Sequence, residues 1–91
     1  MSSHIIKRKG RKEAYDERKI YASVYASALN SHLDKVISEK IAEKVSKAIT
    51  GWVSSEKQQV SSEQIFREVT QLLKKEQKDV AFMYETHRDL S

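Results

Sequence analysis

No proline interrupts this chain, and it holds only two glycines, Gly10 and Gly51. Proline and glycine are the residues that most often end helices, so their scarcity favours long helices joined by few turns. Apolar residues recur at helical spacing in four places. Ile20, Val24 and Ala28 form one stripe, flanked by Tyr21, Tyr25 and Leu29. Asp16 and Glu17 precede it as a helix cap and a first-turn acid. Asn30-Ser31-His32 breaks the pattern. A second helix is expected after Asp34, running to about Val53, on Ile37, Ile41, Val45, Ala48, Ile49 and Trp52. The segment from Gly51 to Gln59 is polar and is expected to end it. Ser61 and Gln64 then make a capping box, with Val60 and Ile65 placed as a hydrophobic staple. The third stripe is Ile65, Val69, Leu72 and Leu73, closed by the polar run from Lys74 to Lys78. Asp79 caps a last helix bearing Val80, Met83, Tyr84 and His87.

Before these helices lies a segment of another kind. Ile5-Ile6 is a β-branched pair, and a basic run follows: Lys7, Arg8, Lys9, Arg11 and Lys12 around Gly10. Glycine accepts positive φ at little steric cost, so a tight turn at Lys9-Gly10 between two short strands is expected. A short third strand at Gln58-Gln59-Val60 fits beside it. The expected fold is therefore α+β, mostly α. It is a four-helix bundle capped by an N-terminal β-hairpin, or by a three-stranded sheet if the third strand forms. At 91 residues the chain is expected to be a single domain spanning residues 1–91.

Composition narrows the functional classes. There is no cysteine, hence no disulfide, thiolate zinc site or thiol nucleophile. His4, His32 and His87 are isolated in sequence and read as surface or satisfied histidines. No phosphate-loop, nucleophile-elbow or His-Glu-x-x-His pattern occurs, so an enzyme is not expected. No apolar run approaches the roughly 20 residues of a membrane span, and no signal-peptide core is seen near the start. A cytoplasmic protein is the expectation. The net charge of +4 admits anionic partners without arguing for nucleic acid by itself.

The basic run admits two explanations. It is either a solvated edge strand guarded by lysines or a site that holds an anion. For the second, Lys7, Arg8 and Lys19 are the candidate cations, and Ser62, or less favourably Ser61, adds a hydroxyl at a helix start. Glu13 and Asp16 lie among these cations, where they either neutralise a neighbour or accept hydrogen bonds from a sugar or amino group. Ile5 and Ile20 are either walls for a flat base or ordinary core residues.

These residues resemble a known family. Ile5-Ile6-Lys7-Arg8-Lys9-Gly10-Arg11-Lys12-Glu13 looks like the opening of the ATP-cone domain, and Asp16-Glu17-Arg18-Lys19-Ile20 continues the likeness. Val60 to Ile65 and Val80 to Arg88 resemble its later blocks. ATP-cones are nucleotide-binding regulatory modules of ribonucleotide reductases and of the zinc-ribbon repressor of reductase genes. The resemblance implies ATP or dATP as effector, with magnesium carried by the triphosphate, bound without hydrolysis. Carried over by position, Lys7, Arg8, Lys19 and Ser62 meet phosphates. Glu13 and Asp16 face ribose or adenine, and Ile5 and Ile20 flank the base. Lys9 stands where the family usually has an acid. A protein partner or a second copy of the chain would read out the bound state. The alternatives are a small basic nucleic-acid-binding domain and a helical interaction module without a ligand.

Overall fold

The computed structural model of the chain describes residues 4–6, 12–56 and 59–88. Four helices carry it: α1 (Glu17–Asn30), α2 (Lys35–Ser55), α3 (Ser62–Glu76) and α4 (Lys78–Arg88). Three strand fragments accompany them: β1 (His4–Ile6), β2 (Lys12–Ala14) and β3 (Val60–Ser61).

Each of the first three helices starts where a polar side chain replaces a missing intrahelical acceptor. Asp16 accepts from the Arg18 amide at 2.9 Å, and Asp34 from the Ile37 amide at 2.8 Å. At α3 the exchange is reciprocal. Ser61 Oγ accepts from the Gln64 amide at 3.1 Å, and Gln64 Oε1 accepts from the Ser61 amide at 2.8 Å. Between α1 and α2 the chain turns at His32, which takes a left-handed φ of 69°.

α1 packs against α2 and α4, while α3 packs against α4 and α2. Val24 and Ala28 of α1 meet the core from one side. Ile41, Ala42, Val45, Ile49 and Val53 supply α2's share, and Ile65, Val69 and Leu73 that of α3. Val80 and Ala81 close it from α4. Lys44 and Glu76 pair across α2 and α3, and Lys74 and Glu85 across α3 and α4, all at the surface.

Two expectations are corrected. The first is the α+β class with a capping hairpin or sheet. The structure is helical, and among the described residues strand pairing is confined to fragments of three, three and two residues. β1 runs antiparallel to β2 and parallel to β3. At roughly 3.3 Å per residue, fragments this short make no layer able to cover a bundle end. Apart from Val60, every described core residue lies on a helix, so the apolar drive sits in the helical stripes. The turn expected at Lys9-Gly10 lies outside the described residues. The second correction is small: α2, expected to end at about Val53, continues two residues further to Ser55, with Gly51 inside it. A helical glycine costs about 1 kcal/mol, which the burial of Val53 and the partial burial of Trp52 offset.

Tyr84 on α4 stacks on Phe66 of α3, with ring centroids 5.4 Å apart and planes 19° from parallel. Burial pushes its hydroxyl from 10.0 up to about 12. In the unfolded chain the phenol ionises at the lower value. Its contribution is therefore intact below about pH 10 and is lost as pH rises towards about 12. The urea midpoint of the wild type, measured across that window, should fall relative to that of Tyr84→Phe as pH rises. Lysine deprotonation is common to both proteins and cancels in the comparison. Parallel pH profiles would contradict the assignment.

Candidate functional site

Strand register decides what the front of the chain brings together. Ile5 lies between Glu13 of β2 and Val60 of β3. Ile6 pairs with Lys12 on one side and Ser61 on the other, and Ser62 opens α3 one residue later. At the other end of β1, His4 pairs with Ala14, and Tyr15 and Asp16 lead from there into α1. Ser62 therefore lies beyond the Ile6 end of β1, whereas Asp16 and Lys19 follow the His4 end. A ligand touching both must lie along the strands. Lys7 and Arg8, which follow Ile6 in sequence, lie outside the described residues, as do the side chains of Ile5 and Glu13.

The start of α1 is held by its own residues. Asp16 caps the helix and also accepts from the Arg18 guanidinium, at 3.2 and 3.3 Å. Those side-chain hydrogen bonds, and then the Arg18 amide, hold the Asp16 carboxyl below the usual carboxylate range. It is thus an anion already engaged with cationic and amide donors. Lys19 is exposed in the first turn, and its charge adds to the same depression. Ile20 is half-buried and packs against the core, the ordinary role its spacing allowed. Ser62 is half-buried at the first position of α3, next to the capping hydroxyl of Ser61.

Two residues beside this site gain roles that the sequence reading did not assign. Arg18 is the partner of Asp16, and an Asp-x-Arg sequence at a helix start was the available signal. Tyr15 reaches across to α2, where its hydroxyl and that of Thr50 lie 2.9 Å apart. Burial raises the Tyr15 pKa above 10.0. No sequence pattern pairs residues so far apart. A separate open groove of about 240 Å³ runs between α1 and α2. Glu17, Arg18, Tyr21, Glu43, Ser46 and Lys47 line it, none of them a residue expected to bind. Its charges are of both signs, and Lys47 is paired with Glu43 at 2.8 Å. Among the described residues no cluster of side chains could hold a metal ion, and no helix is long and apolar enough to cross a membrane.

The family model of the ATP cone domain matches residues 3–90. No curated protein matches the chain.

Proposed function

The chain belongs to the ATP-cone family, and from that premise we propose that it binds ATP or dATP without hydrolysing it and acts as a regulatory, nucleotide-sensing module. ATP-cone domains are nucleotide-binding regulatory modules in general. The observation that carries the reading is the family match over residues 3–90, which takes in the basic run and both helix starts beside it. Residues 1–91 act as one unit in this reading. Lys7, Arg8, Lys19 and Ser62 meet the phosphates. Glu13 and Asp16 face the sugar or the base, and Ile5 and Ile20 flank it. Magnesium enters with the triphosphate. Binding stiffens the N-terminal segment against the helices and changes a surface used by a protein partner or a second copy. Such coupling requires the ligand to prefer one of two states.

The test is a titration of ATP and dATP, with and without magnesium, read by Trp52 fluorescence and by amide chemical shifts. Saturable shifts at Lys12 to Ile20 and at Ser61-Ser62 are expected. A rise in thermal midpoint should accompany them, since ligand at about 100 times Kd adds about 2.7 kcal/mol. Nucleotide recovered intact after incubation fits a module that does not hydrolyse it. No response at millimolar nucleotide from a folded chain ends the proposal. An affinity for oligonucleotides that falls steeply with salt and ignores mononucleotides would favour the basic nucleic-acid-binding alternative.

A further inference from the structure

The contact between Tyr15 and Thr50 joins residues 35 apart in sequence, and it does so at a junction with no slack. Tyr15 is the residue after β2 and the residue before the Asp16 cap of α1. It leans on the hydrophobic core while its hydroxyl meets Thr50 on α2, both groups being half-buried. On its N-terminal side is β2, which holds Glu13 and pairs with β1. On its C-terminal side are Asp16 and Lys19. A fixed Tyr15 side chain therefore sets where β2 ends and where α1 begins, relative to α2. A phenylalanine keeps the ring on the core but leaves the Thr50 hydroxyl without this partner.

We infer that the Tyr15–Thr50 hydrogen bond is a positioning clamp that registers the β2–α1 junction on α2, and through that junction the residues Glu13, Asp16 and Lys19. The part concerning nucleotide rests on the ATP-binding reading above; the mechanical part does not. Neither Tyr15 nor Thr50 touches the ligand. Both act through the segment they hold. Loosening the clamp raises the local opening of that segment, and a ligand that needs the closed form then binds less tightly.

The experiment uses the full chain and three substitutions: Tyr15→Phe, Thr50→Val and Thr50→Ser. In ligand-free protein, amide exchange at Lys12 to Asp16 should quicken about five-fold in Tyr15→Phe and Thr50→Val, the loss of one ordinary hydrogen bond. Exchange in α3 should stay as in the wild type. ATP affinity should fall by a comparable factor, about three- to ten-fold, in both variants. The double variant should fall no further than either single one, because both remove the same bond. Thr50→Ser, which keeps a hydroxyl, should restore wild-type exchange and affinity. Unchanged exchange at Lys12 to Asp16 overturns the clamp. Faster exchange with unchanged affinity, in a chain that does bind ATP, overturns its positioning role. If the wild type binds no nucleotide while exchange still quickens, the nucleotide reading fails and the mechanical clamp stands.

Discussion

Ile49→Ala is expected to lower the unfolding free energy by about 2–5 kcal/mol, the largest stability effect of any single truncation proposed here. Ile49 is fully buried on α2, with Val45 one turn before it and Val53 one turn after it. Truncation removes three carbons from a core shared by four helices and leaves a cavity that rigid neighbours fill only in part. A chain of 91 residues has little stability to spare, since domains typically hold only about 5–15 kcal/mol in total. Each kcal/mol shifts the thermal midpoint of a domain this size by about 4–8 °C. Leu29→Ala is the control. Leu29 lies near the end of α1, 36% exposed, and its truncation should cost about 1 kcal/mol, well below that of Ile49. Urea unfolding with an unchanged slope measures both. If Ile49→Ala costs no more than Leu29→Ala, the core has been placed wrongly.

Helix starts were the most legible part of the sequence, because capping is local chemistry. Asp16 and the Ser61–Gln64 pair were read as caps from side-chain type and spacing alone, and each makes the hydrogen bond its position calls for. Asp34, read only as the residue before the second helix, caps it, while Asp79, read as the cap of the last helix, lies inside the first turn of α4. Helix faces were less legible, because apolar character and burial are separate things. Ile37 belongs to the expected stripe of α2, yet it is 42% exposed, while Ser38 beside it is fully buried. Ala48 is likewise exposed, and Ser46 is buried. Small residues take a large share of the buried faces of α1 and α2, which pack on each other: Ser27, Ala28, Ser38 and Ala42 are all fully buried. Hydropathy counts a serine as polar and misses this.

Strands were the least legible, whereas helix ends fared better: α2 was placed to about Val53, through Gly51, and ends at Ser55. Strand content was overestimated because β-branched pairs such as Ile5-Ile6 favour extended backbone without specifying how far pairing extends. For the candidate site, sequence could name residue types but not their partners. Asp16 was read as a cap that either neutralises a neighbour or accepts from a ligand, and its carboxylate is engaged by Arg18 and by the helix it caps. Any role towards a sugar must use lone pairs left over by those contacts or follow a rearrangement of Arg18. Ile20 contributes to the core, so a wall for a base is at most the exposed part of its side chain.

Arg8→Ala and Lys19→Ala should each weaken ATP binding by about 1.5–3 kcal/mol, the range for hydrogen bonds to charged groups. That corresponds to a loss of about ten- to 150-fold in affinity. The effect on Arg8 should be partly chemical and partly geometric. Arg8→Lys keeps the charge but loses the planar fork, so it should recover only part of the affinity. Lys19 is exposed, so its removal should leave the fold intact. Lys74→Ala supplies the control for net charge. Lys74 sits in the last turn of α3, away from the helix starts, and pairs with Glu85. It removes the same formal charge while leaving the site alone, and should change affinity by no more than about two-fold, the scale of screened long-range charge. Calorimetric titration of ATP into the wild type and all four variants at fixed salt separates the cases. Equal small losses across Arg8→Ala, Lys19→Ala and Lys74→Ala would mean that ATP sees only overall charge, and the assignment of Arg8 and Lys19 to the phosphates would have to be abandoned.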